Sequence, residues 1–526
     1  MYRRLLRYLL VSGVIANLLA IATVAWVFLA IGESPWLLLE KAANRYAYQS
    51  YGLRRKLARI TLDSGLVADW DAAPAAGPAP FPTLEEWRGQ GASPTRLYSR
   101  QAYDRRGRPV GSQRTTSTST GSGATIRVSG TRELLAAIRS ARPGDTIEPE
   151  PGVYRLRGRS IPLVRGGTAD APVSIRARRL GDVRLDMETL EGFHVLSPYW
   201  VFENLDIRGT CSSDSRCEHA FHVVGRGRGF VLRNSRLADF NAPVKVNGTK
   251  VAGKQRYPDH GLIEYNSFVN SRPRDTGNPV TLLNIDNVNG WVVRGNLIAD
   301  FSKKRSDRIS YGAFMKGNGR DGVFERNLVI CEMNLPADRG VRIGLSFGGG
   351  GTGGQFCRDG SCEREFTNGI MRNNVILNCS RDVGIYLNRA YQTGIFNNLI
   401  HNSLGIDVRF SSSTASIANN LISGRIRERD DGLALSANNL VYRGCFREIP
   451  ILSGCPFERW FTAPAAADLS PTAEFPGPKL LGRGIDVEGL DDDFCGTART
   501  PPIDMGPIQY SAGRVCNPAG PGEPAK

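Results

Sequence analysis

The stretch Asn266-Ser-Phe-Val269, echoed by Asn296-Leu-Ile-Ala299, Asn327-Leu-Val-Ile330 and Asn374-Val-Ile-Leu377, decides the fold. An asparagine leading two or three mostly apolar residues occurs nine times, at Asn204, Asn234, Asn266, Asn296, Asn327, Asn374, Asn398, Asn420 and Asn439. The intervals are 30, 32, 30, 31, 47, 24, 22 and 19 residues. Self-similarity at this period means stacked units, none of which buries its own apolar face. Between the asparagines lie short alternating runs such as Phe221-His-Val223, Val292-Val-Arg294 and Gly384-Ile-Tyr-Leu387, broken by Gly and Asn. That is strand punctuation, with no room for the helices of a helical or leucine-rich repeat. The pattern predicts an all-β solenoid, a right-handed parallel β-helix whose coils each supply two or three strands. Asn is expected at the corner, where it tolerates left-handed backbone and stacks its amide on the next coil.

A solenoid lengthens without one expanding core, so the 526 residues fit a single elongated domain. The charge is basic, 67 Lys+Arg against 51 Asp+Glu, a formal +16. An excess of this sign favours an anionic partner, an acidic polysaccharide or lipid headgroups, over a neutral one. Nucleic acid is excluded as a partner because no nucleic-acid module is present.

Residues 1–8 contain Arg3, Arg4 and Arg7, and residues 9–31 run without a charge, enough to span a bilayer. The arginines keep the N-terminus in the cytoplasm and send the rest across. The apolar run is too long and its Ala30-Ile-Gly32 end too poor for a cleaved signal, so an uncleaved anchor in the inner membrane is predicted, with the bulk facing the periplasm. Residues 32–70 read as a juxtamembrane helix with a basic second half, and 71–123 as a Pro/Ala- then Ser/Thr/Gly-rich linker region. The solenoid occupies 124–510, and 511–526 is a tail. At its start, Ile126–Val128 is a strand, Thr131–Ala141 a short amphipathic cap helix with Thr131 as N-cap, and Pro143–Ile147 a turn into the next strand.

Ten cysteines fit the oxidising side of a membrane. Proximity suggests Cys211 with Cys217, Cys357 with Cys362, Cys445 with Cys455 and Cys495 with Cys516. Cys331 and Cys379 each follow a repeat asparagine closely, and meet if the insertion between them loops out. A metal cluster is the competing reading, but no Cys-x2-Cys pair exists.

The segment LLAAIRSARPGDTIEPEPGVY (134–154) resembles the start of the pectate-lyase-like β-helix superfamily, most closely the branch holding chondroitinase B and the alginate lyases. DDDFCGTARTPPIDMGPIQY (491–510) resembles the closing segment of such proteins. The resemblance covers about residues 126–510 and implies fold more than activity, since lyases, hydrolases, epimerases, esterases and adhesins share it. For the lyase branch it implies a Lys base, a following Arg, and Ca²⁺ held by Asn and Glu. A uronate lyase removes the proton alpha to the carboxylate and expels the glycosidic oxygen. It therefore needs a base and cationic charge beside it.

The stretch YGAFMKGNGRDGVFERN (311–327) offers Lys316 as base and Arg320 as a substrate contact. RGVRIGLSFGGGG (339–351) offers Arg342 at the same lateral position one coil on, to neutralise charge. Phe314-Met315 stand where the branch has acidic ligands, which puts Ca²⁺ in question. APVKVNG (242–248) gives Lys245, the second candidate base, with Asn247; LLNIDN (282–287) gives Asn284 and Asp286; His222 lies on the strand before. Together these predict a lateral strip suited to a linear polymer. Tyr386, Arg389 and Arg409, with Asn388 and Asp407, form a second outward strip on later coils. The Gly-rich run 348–354 lacks the ending of a phosphate loop and reads as a mobile loop beside the groove.

A glycoside hydrolase needs two facing carboxylates, and a uronate epimerase carries Asp-Pro-His-Asp. The hydrolase signatures are absent, and Tyr257-Pro-Asp-His260 only scrambles the epimerase motif. The reading favoured is a polysaccharide lyase. Its main rival is a non-catalytic glycan-binding component of an envelope assembly, in contact with assembly proteins.

Overall fold

The computed structural model describes residues 123–335, 340–349, 351–442, 455–487 and 489–512. All of them belong to the second of the chain's two compact units, Gly77–Lys526. The expected membrane segment 9–31 and juxtamembrane helix 32–70 lie outside the described residues, as do residues 71–122 of the linker region. Among the described residues no helix is long and apolar enough to cross a membrane.

Three long sheets run along the solenoid: sheet A of twelve strands, sheet B of ten and sheet C of eleven. Neighbouring strands within each are parallel and one coil apart in sequence. One coil, for example, supplies Val292–Arg294 to sheet A, Leu297–Ala299 to sheet C and Ile309–Lys316 to sheet B. The next supplies Val323–Glu325, Leu328–Ile330 and Val341–Phe347 in the same order. Inward residues merge into one continuous core, in which the rings of Phe193, Phe202, Phe221, Phe230 and Trp291 pack against one another, some stacked and some edge-on. The fold is a parallel β-helix.

The corner between sheets A and C shows why the asparagines recur, and refines the expectation for them. In Asn266, Asn296, Asn327, Asn374, Asn398 and Asn420 the backbone N–H donates to the side-chain oxygen of the next asparagine up, at 2.8–3.1 Å. The side-chain amide donates to the same oxygen and to a carbonyl one coil below. All six are fully buried. The left-handed backbone is not theirs: it belongs to the preceding residue, Tyr265, Gly295, Arg326, Asn373, Asn397 and Asn419, as Asn438 has it before Asn439. Asn204 and Asn234 sit in that left-handed column, and Ser235 takes the ladder position in their place, accepting from Leu205 N–H and donating to Asn266. Paired asparagines in the late coils therefore serve both columns.

Two residues before the ladder, sheet A carries a column of alternating charge. Arg176, Glu203, Arg233, Glu264, Arg294, Glu325 and Arg372 stand in register, one per coil. Alternation converts a column of like repulsions into a chain of ion pairs.

The ends differ from expectation in detail. Helix Thr131–Ser140 caps the first coil with Leu134, Ala137 and Ile138, but its N-cap is Gly130 and Thr131 is its first turn. The capping carboxylate is Glu133, which accepts from Ser129 N–H at 2.8 Å and from the Ser129 hydroxyl. The C-terminal segment does not simply close the last coil. It folds back so that Phe457, Trp460, Leu469, Leu480 and Met505 cover the outer face of sheet C at Leu328, Val375, Leu399 and Leu421.

Disulfides join Cys211–Cys217, Cys331–Cys379 and Cys357–Cys362. Cys455 and Cys495 are disulfide-bonded as well. Cys445 and Cys516, their expected partners, lie outside the described residues. Cys331 and Cys379 follow adjacent strands of sheet C, Leu328–Ile330 and Val375–Leu377, so the 47-residue interval is one coil plus a looped-out insertion.

Candidate functional site

Sheet B positions the site. Along its strands Val244, Val246, Leu283, Ile285, Ala313 and Met315 point into the core and are fully buried. The residues between them are thereby turned outward. Register stacks one outward column from His194 through His222, Lys245 and Asn284 to Phe314. It continues through Ser346, Tyr386 and Asp407. Two residues further along the strands, Asp286 faces Lys316, and on later coils Asn388 faces Arg409. The structure thus brings His222, Lys245, Asn247, Asn284, Asp286 and Lys316 onto one outward patch.

Its centre is a carboxylate between two ammonium groups. Lys245 Nζ donates to Asn284 Oδ1 at 2.7 Å and forms an ion pair with Asp286 Oδ2. Lys316 Nζ lies 4.0 Å from the other Asp286 oxygen and 4.7 Å over the Phe314 ring. These side chains are only 13–20% exposed, so the charges sit in a recess and not on an open surface. Lys316 is aimed by the turn that follows it. Gly317 takes φ +76°, and the Asn287 side-chain amide donates to its carbonyl at 2.9 Å. A Cβ at Gly317 would stand 2.4 Å from that amide nitrogen, so only glycine allows the two turns to stack.

The insertion after Phe347 walls the recess. Gly349 lies against Lys316, where an added Cβ would meet Lys316 Cδ at 3.2 Å. Gly349 N–H donates to the Glu365 carboxylate at 3.2 Å. Arg358 pairs with Asp259 at 2.6 Å, donates to the Asn287 carbonyl at 3.0 Å and stacks 3.9 Å over Tyr257. The Cys357–Cys362 disulfide closes the same segment. The hairpin Thr249–Val251/Lys254–Arg256 presents Lys250, Lys254 and Arg256 to solvent. Burial pushes the Glu365 carboxyl above its usual range, against the pull of nearby Lys316.

Arg342 does not join this patch. It stands opposite Ser310, six residues before Lys316 on the neighbouring strand, while Ser346 is the residue beside Phe314. Its guanidinium is 2% exposed, 3.1 Å from Glu332 and 2.7 Å from the Ser302 hydroxyl. Arg320 also lies elsewhere, in the small sheet of Gly319–Arg320, Phe366–Thr367 and Ala390–Tyr391, exposed and 3.1 Å from Asp321. On the later coils the cations are already engaged. Arg409 pairs with Asp430 and donates to the Tyr386 hydroxyl at 3.4 Å, and Arg389 stacks 5.4 Å over Phe410. Asp407 is held by Arg427 and Arg429.

Calcium does not fit the centre of the patch. A hard cation takes six to eight oxygens, whereas both Asp286 oxygens face lysines and Asn284 Oδ1 is taken by Lys245. No step is therefore routed through it.

At the lower end of the column His194 and His222 stack with ring centres 5.2 Å apart, and Glu191 lies beside them. Sequence reading singled out His222 alone. The signal for the rest was Glu191-Gly-Phe-His194, one coil length before His222.

A parallel β-helix with a recessed cationic patch on one outward face is the class that fold and site define. No family model matches the chain, and no curated protein matches it. Among solved structures it is similar to pectate lyase Pel9A, at 14% identity over 75% of this chain and 98% of that one, with a TM-score of 0.46. It is also similar to the complex of alginate lyase AlyF-OU02 with G6, at 16% identity over 58% of this chain and 61% of that one, TM-score 0.37. A third is the PL6 family polysaccharide lyase Pedsa3628 from Pseudopedobacter saltans, at 16% identity over 60% and 92%, TM-score 0.31. Scores of this size assign no role to any residue here.

Proposed function

We propose that this chain binds an acidic polysaccharide along the outer face of sheet B and cleaves it by β-elimination. The observation that carries the reading is the recessed Lys245–Asp286–Lys316 arrangement on a face whose 4.8 Å coil spacing suits an extended polymer. Lys245, fixed by Asn284 and Asp286, holds the uronate carboxylate and offsets the charge that develops on it. Lys316, less tightly paired, takes the proton alpha to that carboxylate. The electrons form the double bond, the glycosidic C–O bond breaks, and the leaving oxygen takes a proton from solvent water while the protonated Lys316 returns its proton to solvent.

We further place the domain on the oxidising side of the inner membrane, held by an uncleaved anchor at residues 9–31. The disulfides support the compartment, and the arginines before the apolar run support the orientation. A second reading, a non-catalytic glycan-holding component of an envelope assembly, is favoured by one observation. Lys245, Arg409, Arg427 and Arg429 each already have a protein carboxylate.

The test incubates the full chain with a panel of uronate polymers and follows unsaturated-product absorbance and binding. Lys316→Ala should cut turnover by about 10²–10⁴-fold with little change in KM, while Lys245→Ala should chiefly raise KM. Binding without product on every polymer would sink the lyase reading and leave the second.

A further inference from the structure

We propose that Glu191, His194 and His222 form a binding site for a divalent transition metal of the zinc class, leaving one coordination position for water or an oxygen ligand. This inference stands apart from the elimination chemistry and uses neither Lys245, Asp286 nor Lys316, although His222 lies on the same outward face.

The three side chains come from two adjacent coils. His194 and His222 are register partners on the outer face of sheet B. Glu191 precedes them on the turn held by Gly192, whose φ is +54° and whose Cβ would stand 2.1 Å from the Ala220 carbonyl oxygen. One ligand atom from each residue lies within 4.8 Å of the other two, and Glu191 Oε2 is 3.6 Å from His222 Nδ1. Ligand atoms on a tetrahedral zinc at bond lengths of about 2.0–2.1 Å are roughly 3.3 Å apart. Small rotations of the side chains close the difference.

The surroundings prepare each ligand. Asn247 donates its amide to the Gly248 carbonyl at 2.9 Å, which identifies its Oδ1 as the atom 2.9 Å from His222 Nε2. Nε2 must then carry the proton, and Nδ1 presents its lone pair toward Glu191. That Nδ1 is buried and has no hydrogen-bond partner among the described residues. An imidazole fixed through its far nitrogen, with its near nitrogen bare, is the usual outer-shell arrangement of a ligating histidine. Arg159 orients the carboxylate from outside, 3.3 Å from Glu191 Oε1, and leaves Oε2 facing the histidines. Lys245, the register partner of His222 on the next coil, is paired with Asp286. Two imidazoles and one carboxylate suit zinc, cobalt or nickel; calcium and magnesium demand oxygen.

The full chain, stripped with a chelator and dialysed, is titrated with ZnCl2 by calorimetry and with Co²⁺ by visible absorption. One equivalent should bind at this site, with d–d bands of low-symmetry, nitrogen-ligated cobalt, and millimolar Ca²⁺ should not compete. His194→Ala and His222→Ala should each weaken zinc by at least 100-fold, and Glu191→Gln by about tenfold or more. The shape-conserving Glu191→Gln, and Asn247→Asp as an outer-shell change, keep the test informative if a histidine variant misfolds. Failure of the folded chain to bind either metal would overturn the proposal. So would binding that survives loss of both histidines, or a site that prefers Ca²⁺.

Discussion

Glu325→Gln should destabilise the solenoid more than any surface change, because Glu325 is a centre of the alternating charge column. Its carboxylate lies 2.6 Å from Arg372 and 3.9 Å from Arg294, and all three side chains are 3–5% exposed. At an effective dielectric of about 20 these separations correspond to roughly 6 and 4 kcal/mol of attraction. Desolvation of the three ions offsets most of it. Amidation leaves Arg294 its 2.8 Å contact with Glu264, whereas Arg372 loses its carboxylate contact and, among the described residues, keeps the Gly489 carbonyl as a hydrogen-bond acceptor and the more distant charge of Asp492. Stranding a buried guanidinium costs about 3–5 kcal/mol. Replacing both partners, Glu325→Leu with Arg372→Leu, should recover most of that loss. The assay is equilibrium unfolding in guanidinium with disulfides intact, read together with hydrogen exchange across residues 323–377, because a long repeat array need not melt as one unit. Acid supplies a second readout. Burial alone would raise the Glu325 carboxyl, but Arg372, Arg326 and Arg294 outweigh it and hold it down at about 2, against 4.5 for a free side chain. The folded value is depressed, so this contribution is full above about 4.5 and is lost as pH falls toward 2. A Glu325→Gln loss below about 1 kcal/mol, or a double variant as unstable as the single, would refute the reasoning.

Asn327→Ala should cost about 3–5 kcal/mol, since its side chain makes four buried hydrogen bonds, to Asn296 N–H and amide, the Val293 carbonyl and Asn374. Thermal melts check it, and a loss under 1 kcal/mol would remove the ladder as a source of stability. Arg342→Met should lower stability by about 3 kcal/mol or more by stranding Glu332, while leaving polymer binding unchanged. Unaltered melting with lost turnover would return Arg342 to the reaction.

The repeat was legible because coil stacking is local physics written once per turn: an asparagine that bonds its neighbour above, flanked by inward aliphatics. The Cys331–Cys379 pairing was legible for the same reason, both residues sitting a fixed distance after a ladder position. The charge column was also written in the chain, two residues before each ladder asparagine, and escaped notice because Glu and Arg alternate instead of repeating. Lys245, Asn284, Asp286 and Lys316 could be grouped by coil counting alone, since outward positions on adjacent short strands must stack.

Arg342 could not be placed that way. Its strand runs seven residues from Val341 to Phe347, so counting from the wrong end moves a side chain some 20 Å along the sheet. Periodicity names the coil on which a residue lies, but the register along a strand is set by which side chains the core accepts. The wall formed by Arg358, Gly349 and Glu365, and the Glu191–His194–His222 cluster, likewise depend on contacts between turns and insertions of unequal length. By itself the sequence determined a stacked β-solenoid with its outward cations on one face. Only the tertiary structure decided which of those cations meet, because lateral register and loop closure are properties of packed neighbours and leave no period in the chain.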